Sequence, residues 1–316
     1  MYDKRIIFMY SGQGTQYYNM GKEFYATNKV FKASMDRCNK IALECKNVAL
    51  LENMYSETKT MRQFDNILYT NPALLSIGYS LTQVLYSRGI YPDGVLGYSL
   101  GEYTAAIVSG IISLEEGLII GIELAQLLQR RSCQEGMLAV LDQVATFQEK
   151  PRLFQDCTLA AINYEGHFVV SGPLARLKEI QIQLDNQAIV SQLLPVSYAF
   201  HSALIEPIQE DFELLLKQIS LQPPQLPFYS CVKACALAAP TKQHFWEIVR
   251  ERIQFHALAT WMQKQQEYTY IDVGPSGTLA SFIRRGFGEQ IPSFVIMDQF
   301  GQNNRTLSKL VANLGY

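Results

Sequence analysis

The sequence predicts an α/β protein in which a small four-stranded unit is inserted into a larger body, and three observations predict it. An apolar strand runs into a glycine turn near the start, in KRIIFMYSGQG. A second strand, turn and helix follow in GVLGYSLGEYTAAIVSG. Between about residues 132 and 196 the pattern changes from helical spacing to short strands.

After the first glycine turn a helical segment begins around Gln16 to Lys22, and a long polar, helical stretch continues to about Asn71. NPALLSIGYSLTQVLYSRG then carries apolar residues at helical spacing and stops on Gly89. Gly94 to Leu96 reads as a buried strand, Gly97 to Gly101 as a tight turn, and Glu102 onward as a helix rich in Ala and Ile. The next helix, SLEEGLIIGIELAQLLQRR, opens with Ser113 and Glu116 in the register where each side chain can cap the other's backbone N–H. It closes on Arg130 and Arg131, where the helix dipole favours cations.

MLAVL, TLAAINY, HFVVSG and AIVSQLLPV are four short strands separated by two helical patterns, in the order strand, helix, strand, strand, helix, strand. That order is ferredoxin-like and defines a small subdomain over residues 132–196. The larger body, residues 1–131 and 197–316, resumes with a helix after His201. In it the Pro-rich LQPPQLPFYS is a loop entering a strand, and YTYIDVGPSG is another strand and turn. No internal repeat or low-complexity tract interrupts the chain.

Composition narrows the function. At 316 residues and 48% hydrophobic the chain can bury a substantial core. Twenty-seven basic against twenty-nine acidic residues give no general attraction to nucleic acid or anionic membranes, so neither is expected as a partner. No apolar run is long enough to span a bilayer, and the opening MYDKRIIFMYSGQG is too short in its apolar part for a secretory signal, so the expected location is cytoplasmic. Six cysteines without a CxxC pair or zinc spacing read as reduced, mostly buried thiols, and no metal is expected. His244 and His256 fall on helices and read as solvent-facing or capping residues, while His167, on a turn between two small-subdomain strands, reads as a surface residue.

Gly97-Tyr98-Ser99-Leu100-Gly101 fits G-x-S-x-G between a strand and a helix, the α/β-hydrolase-like setting that this motif requires. The glycines permit close backbone packing around a strained nucleophile, and the helix that follows aims N–H groups at developing negative charge. Ser99 is the candidate nucleophile. A serine needs a base, and His201, at the junction where the chain leaves the inserted unit, is the candidate. Asp142, Asp156 and Asp185 all lie inside the inserted unit, so no carboxylate stands out to complete a Ser–acid–His set.

Ser11-Gly12-Gln13-Gly14-Thr15-Gln16, GYSLGEY, VSYAFHS and VGPSG, in this order, resemble the malonyl-CoA:acyl-carrier-protein transacylase family over nearly the whole chain. The resemblance implies that a Ser99–His201 dyad suffices, with a backbone carbonyl, here from Gln254, orienting the histidine and Asn163 supporting the histidine region. It implies an oxyanion hole made by the N–H groups of Gln13 and Leu100, and an acyl pocket that includes Tyr98, Leu124, Tyr198 and Phe200. No cofactor of the protein's own is implied; the acyl thioester substrate carries phosphopantetheine, on an acyl carrier protein or on CoA.

Two departures from the family pattern point to the substrate. Tyr98 replaces the histidine that usually precedes the nucleophile. Leu124 stands where malonyl-specific members place an arginine, and leucine cannot pair a free carboxylate. The resemblance is strongest to the discrete acyltransferase homologues of trans-acyltransferase polyketide synthases, whose arginine-lacking branch consists of acyl hydrolases. The expected activity is therefore hydrolysis of acyl units from acyl carrier protein thioesters, with the carrier protein domains of a polyketide synthase as partners. Loading of acetyl or another non-carboxylated unit onto a carrier protein is the alternative, and both share the first half-reaction. An idle carrier-protein docking module fits less well with an intact Ser99, His201 and GQG loop. A lipase fits least, because an HGGG-type oxyanion loop is missing.

Overall fold

The computed structural model describes residues 5–55, 63–131 and 133–315. Residues 1–4, the last of which begins the opening strand segment, residues 56–62 of the polar helical stretch, Ser132, which begins the expected small subdomain, and Tyr316 lie outside the described residues.

Two sheets organise the chain. The first is built from β1 (Arg5–Tyr10), β2 (Gly94–Gly97) and four strands from the C-terminal part; the second comprises β3 (Glu135–Val140), β4 (Thr158–Tyr164), β5 (His167–Pro173) and β6 (Ser191–Leu193). The C-terminal strands are β7 (Phe228–Ser230), β8 (Cys235–Leu237), β9 (Tyr268–Asp272) and β10 (Ser293–Val295). In the larger sheet the order is β10-β9-β1-β2-β7-β8, parallel except for β8 at the edge. β1 and β2 lie at its centre, and Ile7 through Tyr10 are buried without alternation, as a parallel strand covered on both faces requires. The fold is thus the α/β architecture expected, and β8 and β10, only three residues each, are the strands whose patterns were too short to read.

The smaller sheet runs β4-β5-β3-β6, with every pair antiparallel, and this is the ferredoxin-like order. Its alternation has a structural meaning. Leu138, Val140, Phe168 and Val170 face the helix Leu174–Asp185 and close a core of their own with Leu177, Ile180 and Leu184. Met137, Val169 and Ala161 point the other way, into the core of the larger body. The two units meet through that second face, and Ile162 N–H to Ile253 O and Ile253 N–H to Ala160 O stitch β4 to the larger body.

The helix expected to begin around Gln16 to Lys22 starts at Lys22, the far end of that range, because Gly14, Asn19 and Gly21 adopt left-handed backbone angles that break a helix before it. The helix expected from Asn71 instead spans Ile67–Tyr86, where Asn66 caps the N–H of Leu68. The capping box is present as read: Glu116 N–H donates to Ser113 Oγ at 3.1 Å and Ser113 N–H to Glu116 Oε2 at 2.8 Å, opening the helix Leu114–Gln129. The cysteines are less buried than expected, since only Cys38 and Cys231 are buried and Cys45 is exposed. Among the described residues no helix is long and apolar enough to cross a membrane.

Candidate active site

The site begins at the C-terminal end of β2. The chain leaves Gly97, reverses at Ser99 with φ +53°, and enters the helix Gly101–Val108. A non-glycine residue in this region carries about 1–3 kcal/mol of strain, held here by the packing around it. A Cβ on Gly97 would lie 2.2 Å from the Cα of Glu102, and one on Gly101 would lie 1.9 Å from the carbonyl oxygen of Tyr10. No side chain fits at either position. Gly12 presses on the same turn, its missing Cβ 2.7 Å from Tyr98 O and 3.0 Å from Leu100 N, so the GQG loop after β1 lies directly over Ser99.

His201 reaches Ser99 from the far side. It too is left-handed, with φ +61°, and its N–H donates to Val249 O at 2.9 Å. Ser99 Oγ and His201 Nε2 are 2.8 Å apart. Nδ1 lies 2.8 Å from the carbonyl oxygen of Glu251. A carbonyl only accepts, so Nδ1 carries the ring proton and Nε2 presents its lone pair to the Ser99 hydroxyl. The ring is buried, and that burial holds its pKa down at about 4 against 6.5 for an ordinary histidine; the bond to Glu251 offsets part of the shift. A neutral imidazole aimed at a serine hydroxyl can act as a general base without first losing a proton.

The orienting carbonyl is therefore that of Glu251, and not that of Gln254. Glu251 follows the helix Lys242–Arg250 in an extended conformation that turns its carbonyl to the ring. Gln254 is already the first residue of the next helical turn, where its carbonyl accepts Leu258 N–H and its side chain donates to Val232 O. Asn163 does not orient His201 either. It accepts the Tyr98 hydroxyl at 2.8 Å, and its amide nitrogen lies 3.4 Å from His167 Nδ1, so it serves the turn before the nucleophile.

Gln13 and Leu100 flank Ser99 on a cavity of about 20 Å³, and among the described residues neither backbone N–H is given to a protein acceptor. Two free donors beside a nucleophile are what a tetrahedral oxyanion requires. The Gln13 side chain is pinned away from them by donating to Thr70 Oγ1 at 2.8 Å and to Asn71 Oδ1. Leu124 and Phe200 wall this cavity together with Tyr103, Ile248 and Val249, and no basic side chain lines it.

A larger cleft of about 290 Å³ opens between the two sheets, bounded by the GQG loop, Tyr98, Asn163, His167, Leu194 and Phe282. Thr278 and Leu279, which follow the VGPSG turn, line one edge of it, and the turn is held by the buried Asp272 carboxylate, which accepts the N–H groups of Gly274, Leu279 and Ala280. Tyr98 belongs to this cleft and not to the cavity beside Ser99. Its hydroxyl donates to Asn163 Oδ1 across the cleft. Tyr198 lines neither space; it packs edge-on against Phe200 at 6.0 Å between ring centres.

Three histidines sit elsewhere than their sequence context suggested. His167 is the first residue of β5 and lines the cleft, where burial, and secondarily Arg285, hold its pKa down at about 4. His244 is buried, with Nε2 2.9 Å from Glu102 Oε2. His256 stacks on Phe287, 5.5 Å between ring centres. Sequence reasoning also missed Tyr103, Ile248, Val249 and Glu251. Tyr103 lies one helical turn after Ser99 and was within reach of a periodicity argument; the other three are brought in only by tertiary packing.

Comparison with known proteins bears on the family and the fold. Residues 7–315 match the model of the acyl transferase domain family. The chain is 42% identical over 282 residues to the polyketide biosynthesis acyltransferase homolog PksD of Bacillus subtilis strain 168, covering 89% of this chain and 87% of that protein. It is 39% identical over 311 residues to the polyketide biosynthesis acyltransferase homolog BaeD of Bacillus velezensis, covering 96% and 95%. Among solved structures, a loading acyltransferase from the avermectin modular polyketide synthase superposes with a TM-score of 0.91 at 21% identity over 98% of this chain and 99% of that one, a likeness of fold. With the family model spanning nearly its whole length and two relatives this similar end to end, the chain belongs to the acyl transferase domain family.

Proposed function

We propose that this protein is a cytoplasmic, serine-dependent acyl hydrolase of trans-acyltransferase polyketide biosynthesis that clears short, uncharged acyl units from acyl carrier protein thioesters. Ser99 attacks the thioester carbonyl while His201 Nε2 takes its proton; the tetrahedral oxyanion is held by the N–H groups of Gln13 and Leu100. Collapse expels the pantetheine thiol, which takes the proton back from His201, and leaves an acyl ester on Ser99. Water then attacks that ester with His201 as base again, and the free acid departs.

The observation that carries the choice of a short, uncharged acyl unit is the cavity beside Ser99. Its volume, about 20 Å³, holds about one water-sized group, which suits the methyl of an acetyl unit, and its walls offer an acyl carboxylate no cation. The cleft between the sheets is the space in which the thiol-bearing arm would lie. Similarity to two polyketide biosynthesis acyltransferase homologs supports the setting. A second reading, loading of acetyl onto a carrier protein, uses the same acyl-enzyme and differs only in the acceptor. Acetyl carrier protein incubated with the enzyme, with and without excess free holo carrier protein, separates them. Free acid released at similar rates in both mixtures supports the hydrolase; transfer that greatly outpaces hydrolysis when acceptor is present establishes the loading enzyme instead.

A further inference from the structure

Glu102 is fully buried, three residues after Ser99 in the first turn of the helix Gly101–Val108. Its carboxylate accepts Ser230 Oγ–H and Val232 N–H at the end of β7, both at 3.2 Å, and lies 2.9 Å from His244 Nε2. Beside it, Tyr103 donates its hydroxyl to Phe245 O at 2.7 Å. Two adjacent residues of the nucleophile helix are thereby tied to two adjacent residues of the helix Lys242–Arg250.

That second helix and the residue after it fix the base. Val249 accepts the His201 main-chain N–H and Glu251 accepts the Nδ1 proton, so the carbonyls that hold the backbone and the ring of His201 both hang from the segment anchored by His244. The nucleophile and the support of its base thus belong to separate stretches of chain joined across the core by this polar tie. A buried carboxylate–histidine pair is a poor source of stability, since well-packed apolar residues of the same volume do as well or better. His244 also keeps Nδ1 buried without a hydrogen-bond partner among the described residues, with Glu247 Oε2 no nearer than 3.7 Å, which is a cost to stability. What the pair supplies that leucine could not is direction: a bond of fixed length and angle between two helices whose relative placement sets the distance from Ser99 to His201.

We propose that Glu102 and His244 are a positioning pair for the dyad, acting where a Ser–acid–His enzyme would place a carboxylate against the ring itself. The inference rests on the Ser99 acyl-enzyme reading above. His244→Phe keeps a ring against Phe228, which it meets edge-on at 6.0 Å between ring centres, and removes the donor; His244→Gln restores one. Single-turnover acylation of Ser99 by an acetyl thioester, followed by intact mass on protein shown to be folded by its melting transition, reads the effect. His244→Phe lowers the saturating acylation rate at least tenfold with the half-saturating substrate concentration unchanged, and His244→Gln recovers it to within about threefold. Glu102→Gln, which keeps the volume but sets an amide N–H against the other donors, shows the same loss and moves the downfield Nδ1 proton resonance of His201. A folded His244→Phe protein that acylates at the wild-type rate overturns the proposal. If His244→Phe does not fold, a Glu102→Gln protein with wild-type acylation and an unmoved Nδ1 resonance overturns it equally. A wild-type protein that forms no Ser99 adduct removes the acyl-enzyme reading and this inference with it, a result distinct from either of the others.

Discussion

Leu124 makes acyl choice the most discriminating test of the site. Its side chain is 2% exposed and walls the cavity next to Ser99, where the only polar side chains among the described residues are those of Gln13, Asn71, Ser99 and Tyr103. A malonyl unit bound there would bury a carboxylate with no cation within the lining, and leaving a buried charge unpaired costs about 3–5 kcal/mol. At 1.36 kcal/mol per tenfold, that predicts acetyl to be processed about 10²- to 5 × 10³-fold faster than malonyl in kcat/KM. Carrier proteins bearing the two acyl units compete for one enzyme sample, and the ratio of products gives the ratio of kcat/KM directly. Leu124→Arg supplies a guanidinium able to pair the carboxylate in a bidentate geometry and shifts the ratio towards malonyl by tenfold or more. Leu124→Ala separates charge from space: it costs about 2–5 kcal/mol of stability, raises butyryl relative to acetyl, and leaves malonyl disfavoured. A wild-type enzyme that prefers malonyl, or a Leu124→Ala protein as tolerant of malonyl as Leu124→Arg, refutes the reasoning.

Ser99→Ala abolishes turnover, and a pulse of acyl thioester yields a mass adduct on the wild type alone; an equal adduct on the variant removes Ser99 as nucleophile. Gln254→Ala keeps Ser99 acylation within about twofold, because the carbonyl on His201 belongs to Glu251 and the Gln254 side chain bonds Val232 O; a hundredfold loss in folded protein would restore Gln254 to the dyad. The pH profile follows from His201. With its folded pKa held down near 4, the ring stays neutral as pH falls through 6.5, so the acid limb of kcat/KM for acylation lies between pH 4 and 5 and not near 6.5. The same depression contributes about 3 kcal/mol of stability that is fully present above pH 6.5 and is lost as pH falls from 6.5 through about 4. Urea melts at pH 7, 5.5 and 4 measure it, and a His201→Gln protein loses that part of the dependence.

What the sequence revealed and what it withheld divide along physical lines. Ser99 and His201 were legible because each sits at a junction that the local pattern announces: Ser99 between a four-residue apolar strand and an Ala-rich helix, His201 where the strand pattern of the inserted unit ends. The small unit was legible because its strands are short apolar runs separated by two helical patterns, buried on both sides, one face to its own helix and one to the larger body. The orienting carbonyl was not legible. A main-chain acceptor leaves no mark on residue type, and three residues separate Glu251, whose extended backbone frees its carbonyl, from Gln254, whose carbonyl is spent on a helix. His244 misled for a related reason: it lies on a helix with polar neighbours, and only the approach of Glu102 from the other end of the chain makes that face an interior.

The cavity beside Ser99 and the cleft that shares Gln13 with it also constrain how an acyl-enzyme can be emptied. The inner cavity, about 20 Å³, is filled by a methyl group, so no second molecule fits behind the ester once an acetyl unit is in place. On the proposed reading the attacking water must therefore come from the cleft of about 290 Å³, the same side from which the pantetheine thiol departs. Water and a second thiol then compete for one approach to one carbonyl, under one base. Nothing in the inner pocket can favour hydrolysis over transfer; Leu124 and Phe200 choose the acyl group, and the choice of acceptor falls to the walls of the outer cleft. Substitutions at Leu124 should consequently change which acyl units are cleared while leaving the ratio of free acid to transferred acyl unaltered, and substitutions at His167 or Phe282, which line the cleft, should do the reverse.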